Sequence, residues 1–97
     1  MDRQALDEAL ADRYDADETV RRAVTRQARD LADSGQITED LGYRLAIEHV
    51  LSNVDDAPDD HTLAERWNWW LGSLDISHGG YERFWVRPDV AEADRTE

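Results

Sequence analysis

The feature that most constrains the fold is a run of large apolar side chains at helical spacing between residues 62 and 74. They recur at i, i+4, i+7, i+8 and i+11, which places them on one narrow stripe of a helix: Leu63, Trp67, Trp70, Leu71 and Leu74. Thr62 followed by Glu65 forms a capping box at the start of this run. Because burial of each large side chain contributes roughly 1.5 to 3 kcal/mol, the pattern predicts a core helix.

This helix lies in the only long segment whose charges cancel, residues 62 to 88. The segment carries six of the eight aromatic residues of the chain. Its three acids and three arginines are Glu65, Asp75, Glu82, Arg66, Arg83 and Arg87. Since the whole chain has a net charge of -12, we expect both the core and a contact surface in this neutral, aromatic segment.

One tryptophan of the segment does not fit the apolar stripe. At 100° per residue, Trp69 lies about 120° or more from the centre of the stripe, on the side of Arg66 and Ser73. Two interpretations remain open. Either the C-terminal segment lies over Trp69 and the helix is sandwiched, or Trp69 is exposed and anchors a partner, as tryptophan often does at binding hot spots.

Length and composition indicate one small domain. Ninety-seven residues with 40% apolar content suit a single domain with a modest core, which we place at residues 1 to 88. Residues 89 to 97 are polar with four acids, and we expect a disordered tail there. The absence of cysteine excludes disulfides, thiolate metal sites and a cysteine nucleophile. Without an apolar run of about 20 residues or a signal-peptide pattern, we expect a cytoplasmic protein.

The charged residues have an unusual composition. All eleven basic residues are arginine, lysine is absent, and aspartate and glutamate total 23. This composition resembles that of proteins from extreme halophiles, in which carboxylates keep the surface hydrated in concentrated salt. At molar salt the screening length falls to roughly 3 Å, so repulsion among the carboxylates is weak. We therefore interpret the acidity as adaptation to salt and not as a specific binding function.

Three further helices are predicted before the tryptophan helix. The first spans residues 1 to 13, and the second spans about 16 to 33 and ends at Gly35. The third runs from Thr38 to about Val54 and is apolar over much of its circumference, so we place it in the centre with the tryptophan helix. We predict a mainly α-helical domain of four helices with a short C-terminal β-hairpin.

The hairpin is predicted from the Gly79-Gly80 pair and the alternation that follows it. As a strand, this segment places Tyr81, Arg83, Trp85 and Arg87 on one face. A helix remains an alternative, because Tyr81, Phe84 and Trp85 also fit i, i+3 and i+4. The aromatic and guanidinium groups of the face could contact a protein partner or stack on single-stranded nucleic acid. Alternatively, they pack on the tryptophan helix and pair with nearby acids.

The second helix carries an arginine stripe. Arg22, Arg26 and Arg29 recur at i, i+4 and i+7, which suggests an anion-binding face. Each of them also has an acid four residues away, Glu18, Asp30 and Asp33 respectively, so pairing within the helix is the simpler interpretation. A DNA-reading helix-turn-helix is disfavoured, because the third helix exposes carboxylates where base contacts would be needed.

No motif indicates catalysis. The chain has no lysine for a phosphate loop, and His49, His61 and His78 form no helical pair. The acidic loop from Asp55 to Asp60 lacks the glycine and the bidentate glutamate of a calcium loop, so we interpret it as a solvated linker. We expect no enzyme activity, no metal and no cofactor.

The functional hypothesis is therefore a small non-catalytic protein-interaction module. Its setting would be an accessory or regulatory role in a halophilic archaeon or one of its viruses or plasmids. It would bind a protein partner, or itself as a homodimer, through Trp69, Tyr81, Arg83, Trp85 and Arg87. The alternatives are nucleic-acid binding through the arginine-rich helix, or a carboxylate mimic of nucleic acid that inhibits a DNA-binding enzyme.

Overall fold

The computed structural model describes residues 1–87 and is mainly helical there. The described residues contain five α-helices and one 3₁₀ turn. They are α1 (Arg3–Arg13), α2 (Glu18–Ser34), α3 (Gln36–Leu41), α4 (Ile47–Asp55), α5 (Leu63–His78) and the 3₁₀ turn Glu82–Phe84. The acidic tail predicted at residues 89 to 97 lies outside the described residues.

The first two helices begin and end where the sequence predicts. The Asp2 side chain accepts hydrogen bonds from the backbone at the start of α1, and the Asp17 side chain accepts one from Thr19 N at the start of α2. Gly35 ends α2 in the left-handed conformation with φ 74°. These helix ends are determined by residues close in sequence, because a capping side chain and a glycine satisfy the terminal backbone groups without tertiary contacts.

The predicted third helix is wrong as a single element. The chain forms α3, turns at Gly42 with φ 82°, and begins α4 only at Ile47. A glycine in the left-handed region ends a helix, so the apolar periodicity from Thr38 to Val54 spans two elements. At the start of α4, His49 Nδ1 accepts a hydrogen bond from Ala46 N at 2.9 Å. The imidazole therefore acts as a helix cap.

The predicted C-terminal β-hairpin is not supported. Residues 1–87 contain no strand, and α5 continues past Leu74 to His78. Gly79 and Gly80 both have positive φ, 78° and 83°, and they turn the chain back over the helices. The 3₁₀ turn then changes the expected alternation, because residues three apart share a side of such a turn. Tyr81 is therefore buried together with Phe84 instead of facing outward with Arg83.

The core surrounds α5, which packs against α2, α4 and the 3₁₀ turn. The α4 part of the predicted third helix does lie against the tryptophan helix, with Val50 and Val54 buried, but α2 also belongs to the centre. α2 packs against α1, α3, α5 and the 3₁₀ turn. The apolar stripe of α5 is buried as predicted, and the rings of Trp67 and Trp70 meet edge to face at 5.4 Å and 82°. Such aromatic pairs add to the stabilisation that burial supplies.

Arg66 fastens the acidic loop to the start of α5. Its buried guanidinium donates to three backbone carbonyls, those of Val54 at 3.0 Å, His61 at 3.0 Å and Asp59 at 3.3 Å. The same group lies 5.1 Å from the ring centroid of Tyr14. The loop between α4 and α5 is thus attached by a charged group whose donors are satisfied by backbone, as burial of a charge requires.

Candidate functional site

α2 presents two of its arginines on the side away from the core. Val20, Val24 and Ala28 are fully buried, whereas Arg22 and Arg26 are exposed. The helical period makes this division unavoidable, because residues 22 and 26 lie between the buried positions and point to the other side. The two guanidinium groups are therefore held on a rigid helix and face outward together.

The C-terminal segment is fastened beside α2 by side chains of α5. The indole N–H of Trp67 donates to the carbonyl of Phe84 at 2.8 Å. The amide of Asn68 makes two bonds to Val86: its Nδ2 donates to the Val86 carbonyl at 3.1 Å, and its Oδ1 accepts from the Val86 N–H at 2.8 Å. Asn68 thus binds the backbone of residue 86 as a neighbouring strand would.

A fourth bond comes from α2 itself. The Gln27 amide nitrogen donates to the carbonyl of Trp85 at 2.9 Å. With Phe84 and Val86 buried on either side of it, Trp85 is turned outward and remains 40% exposed. The segment from 84 to 86 is therefore anchored to two helices through its backbone, and the anchoring fixes the position of one exposed indole.

These contacts form a cleft of about 410 Å³ between α2 and the C-terminal segment. We call it the arginine cleft. The residues that line it are Thr19, Arg22, Ala23, Arg26, Gln27, Trp85, Val86 and Arg87. Two surfaces that were predicted separately meet here. Arg22 and Arg26 belong to the predicted anion-binding stripe, and Trp85 and Arg87 belong to the predicted partner surface.

The guanidinium groups of the cleft differ in their ion pairs. Arg22 pairs with Glu18 at 3.0 Å, as predicted, but both side chains are largely exposed, and such pairs are weak. Arg29, outside the cleft, pairs with Asp33 at 3.7 Å, also as predicted. The third predicted pair, between Arg26 and Asp30, does not form within residues 1–87. Arg26 therefore has no carboxylate partner in the described part of the chain.

The remaining predicted site residues lie elsewhere. Trp69 is 39% exposed on the outer side of α5. Arg83 lies in a separate cleft, where its guanidinium donates to Gln36 Oε1 at 2.8 Å and stacks 4.7 Å from the ring centroid of Phe84. The five residues predicted as one partner surface are thus distributed over four places, and only Trp85 and Arg87 are together.

Tyr81 is in the core and not on the surface. Its side chain is completely buried, and its hydroxyl donates to Asp40 at 2.7 Å. Burial, followed by the hydrogen bond to this carboxylate, raises the pKa of Tyr81 far above its ordinary value, because ionisation would place two negative charges side by side. A partner cannot contact this phenol in the folded chain.

Sequence reasoning missed three residues that build the site or its surroundings. Asn68 and Gln27 hold the C-terminal segment, and Ile76 is exposed on the outer side of α5. In the sequence, Asn68 stands out as the single amide within a run of indoles. A polar group that is partly buried usually has a defined hydrogen-bond partner, so this position indicates a contact. For Ile76 the signal is its spacing of seven residues from Trp69, which predicts the same helical side.

Other chemistry has little support in residues 1–87. No three side chains of histidine, cysteine, aspartate or glutamate converge there to hold a metal ion. In the same part of the chain, every helix is too short or too polar to cross a bilayer. The arginine cleft brings guanidinium groups beside an aromatic face, an arrangement that is chemically able to bind an anionic group.

Comparison with known proteins finds a match to the profile of a protein family. Neither the characterised proteins nor the solved structures include a match to the chain. Residues 1–75 match the profile of the WNWW domain, whose four letters are the residues from Trp67 to Trp70 in this chain. The match ends before the segment that Trp67 and Asn68 fasten. Since it covers more than half of the chain, this protein belongs to the WNWW domain family.

Proposed function

We propose that the chain is a non-catalytic interaction module that binds an acidic segment of a protein partner in the arginine cleft. The observation that supports this function is the meeting of Arg22, Arg26 and Arg87 with the exposed indole of Trp85 around one cleft. Guanidinium groups form strong, directional bonds with carboxylates. The indole offers an apolar face for a side chain of the same segment.

Arg26 is the residue on which a carboxylate of the partner would bind best. Arg22 already shares its charge with Glu18, whereas Arg26 has no carboxylate partner among residues 1–87. Among residues 1–87, a new ion pair with Arg26 has no existing carboxylate to displace, while one with Arg22 must compete with Glu18. We therefore assign the main electrostatic contact to Arg26 and the apolar contact to Trp85.

The size and surroundings of the cleft favour a peptide over a polynucleotide. A volume of about 410 Å³ accommodates a few side chains. Proteins that bind single strands without sequence preference instead use a long basic groove that follows the backbone. Here the chain carries 23 acids against eleven arginines, so a polyanion leaving the cleft would meet carboxylates. A short segment with two or three acids and one apolar side chain avoids that repulsion.

The composition also suggests where this binding occurs. We propose a small accessory or regulatory protein of a halophilic archaeon, or of one of its viruses or plasmids, that acts in the cytoplasm. In molar salt, charges farther apart than roughly 3 Å are screened, so only direct contacts in the cleft contribute to affinity. Salts that are excluded from protein surfaces strengthen apolar burial, which increases the contribution of Trp85.

The proposal can be tested with a fluorescein-labelled peptide that alternates glutamate with phenylalanine. Binding to the full chain is measured by fluorescence anisotropy at 0.1 M and 2 M KCl. Replacing Arg26 with glutamine removes one charge-assisted bond of about 1.5 kcal/mol, and we expect about tenfold weaker binding. Arg29→Gln is the matched control, because Arg29 is on the same helix but outside the cleft, and its loss should leave the affinity unchanged.

Two results would overturn the proposal. If the wild-type chain does not bind the peptide even at low salt, the cleft is not an acidic-segment site. If a single-stranded oligothymidine binds more tightly than the peptide, and Arg26→Gln weakens that binding, the nucleic-acid alternative replaces the peptide. The relative affinities of the wild-type chain for peptide and oligothymidine distinguish the two ligands, and Arg26→Gln shows whether the tighter one binds in the cleft.

A further inference from the structure

The chain continues from the wall of the arginine cleft into an acidic segment. Arg87 lines the cleft, and only Pro88 separates it from the acidic tail, residues 89 to 97. The tail contains four acids and one arginine, together with the aliphatic side chain of Val90. Its composition is therefore that of the segment proposed above as the ligand of the cleft, which combines several acids with an apolar side chain.

The tail begins close enough to reach the arginines of α2. The α2 residues that line the cleft run from Thr19 to Gln27, which is about 12 Å along the helix. An extended chain advances by up to about 3.5 Å per residue, so about four residues beyond Arg87 cover that length. The first acids of the tail, Asp89 and Glu92, are two and five residues beyond Arg87. Both are therefore within reach of the cleft.

The point from which the tail starts is fixed against the cleft. The Asn68 amide binds both the N–H and the carbonyl of Val86, and Gln27 donates to the carbonyl of Trp85. A binding segment joined to its site by so short a connection has an effective concentration on the order of millimolar. Even a weak contact between the tail and the cleft is therefore populated.

The tail and the cleft carry opposite charges. Arg22, Arg26 and Arg87 border the cleft, and the described residues that line it include no acid. Arg13 and Arg29, by contrast, already pair with carboxylates of the folded chain. Bonds between guanidinium groups and carboxylates are strong and directional. The cleft is thus a cationic surface at the origin of an anionic segment.

We infer that the acidic tail occupies the arginine cleft of its own chain in the absence of a partner, with a carboxylate of Asp89 or Glu92 on the guanidinium of Arg26. This inference rests on the proposed function, because the tail uses the groups assigned there to the partner's acidic segment. The partner must then displace the tail. The tail is an intramolecular competitor, so that only segments with stronger contacts bind at a given concentration.

Paramagnetic broadening in NMR spectra of the full chain tests the contact without any peptide. The natural chain has no cysteine, so Thr96→Cys introduces a single thiol in the tail for a nitroxide label. At 0.1 M KCl the label should broaden the amide signals of Ala23 and Gln27 in the cleft wall. The signal of Ser52 should stay sharp, because α4 packs against α1 and α5 and does not line the cleft.

Two further measurements on the labelled chain show how the tail is held. Arg26→Gln should restore much of the lost signal of Ala23, whereas the matched control Arg29→Gln should not, because Arg29 is outside the cleft. A mixture of spin-labelled chain and isotope-labelled chain without nitroxide should show no broadening. Signals that stay sharp in the labelled chain, broadening that Arg26→Gln leaves unchanged, or broadening that passes between chains would each overturn the inference.

Binding of the glutamate and phenylalanine peptide measures the competition. One full-length variant combines Asp89→Asn with Glu92→Gln, and its matched control, Asp56→Asn with Asp59→Asn, removes the same charge from the acidic loop. If the tail binds with a dissociation constant of about 1 mM at an effective concentration of a few millimolar, emptying the cleft tightens peptide binding about three- to fivefold. The control should bind the peptide as the wild-type chain does.

The two experiments separate a failure of this inference from a failure of the proposed function. If the peptide binds the wild-type chain and the tail variant equally well, and Arg26→Gln weakens both, the cleft is an acidic-segment site that the tail does not occupy. If the peptide binds neither chain, but the label broadens Ala23 in a way that depends on Arg26, the proposed function fails and the contact of the tail stands.

Discussion

The inner and outer sides of α5 use the same residue type for different purposes. Trp67 and Trp70 are buried in the core, whereas Trp69, one or two residues away, is partly exposed. Residues 67 and 69 differ by about 200° around the helix, so the direction of the side chain decides its role. Tryptophans that are neighbours in a sequence can therefore have different structural roles, and the role of each follows from the direction of its side chain.

The two sides also differ in what depends on them. The inner indole of Trp67 and its neighbour Asn68 hold the backbone of Phe84 and Val86, and through it the wall of the arginine cleft. On the outer side of α5, Ser73 Oγ donates to the Trp69 carbonyl at 3.1 Å, and Ile76 is 89% exposed. Substitutions on the inner side should thus affect stability and the cleft, and substitutions on the outer side should affect stability much less.

The largest expected effect is that of replacing Trp67 with alanine. The change leaves a cavity in the core and removes the donor to the Phe84 carbonyl, so we expect a loss of about 3 to 5 kcal/mol in the free energy of unfolding. Urea unfolding followed by circular dichroism measures it. Trp67→Phe, which retains a large apolar ring, should lose less than Trp67→Ala. A loss below about 1 kcal/mol for Trp67→Ala would contradict the inner position of this residue.

Replacing Asn68 with alanine should have the next largest effect. It removes both bonds to Val86 and leaves a partly buried N–H and carbonyl unpaired, at a cost of about 1 to 3 kcal/mol. Hydrogen exchange of the Val86 amide should also become faster. Asn68→Asp is an informative comparison, because it keeps an acceptor for the Val86 N–H but sets a charged carboxylate oxygen against the Val86 carbonyl in place of the donor. Unchanged exchange at Val86 would show that Asn68 does not fasten the segment.

The inner and outer residues of the C-terminal segment should differ in their response to alkaline pH. The folded chain raises the pKa of buried Tyr81, so its contribution to stability is present below the ordinary tyrosine pKa of about 10 and is lost as pH rises above it. Tyr14, whose pKa is raised to about 12 by burial and then by its bond to Asp55, adds a similar loss between pH 10 and 12.

Free energies of unfolding measured from pH 8 to 12 check this expectation. Tyr81→Phe should reduce the loss of stability above pH 10 and leave the part due to Tyr14. Trp85→Ala, a change on the exposed side of the same segment, should leave the pH dependence of the wild-type chain unaltered. Equal slopes for the wild-type chain and Tyr81→Phe would mean that the Tyr81 phenol does not stay protonated in the folded state.

The parts of the fold that local chemistry decides could be predicted from the sequence. The capping box of Thr62 and Glu65, the stripe with Trp67 and the helix end at Gly35 are all confirmed. Each depends on residues within a few positions of one another. Gly42 is the exception: its effect is local, but the apolar periodicity on both sides of it concealed the break.

The arginine cleft could not be predicted in the same way, because distant residues form it. The bond from Gln27 to Trp85 joins residues 58 positions apart, and Asn68 and Val86 are 18 apart. Composition and periodicity identify Arg22, Arg26, Trp85 and Arg87 as candidates, but they do not show that α2 and the C-terminal segment are neighbours. The burial of Tyr81 was predicted only by the alternatives to the hairpin face, its packing on the tryptophan helix and its i, i+3 spacing with Phe84, because a single 3₁₀ turn sets the register there.

The smallest expected effect on stability is that of Trp69→Ala, and it tests the comparison most directly. Because the indole remains 39% exposed and fills no core cavity, we expect a loss below about 1.5 kcal/mol, less than half of the loss for Trp67→Ala. Urea unfolding followed by circular dichroism measures the loss for both variants. If Trp69→Ala instead destabilises the chain as much as Trp67→Ala does, both indoles belong to the core and the two sides of α5 do not differ.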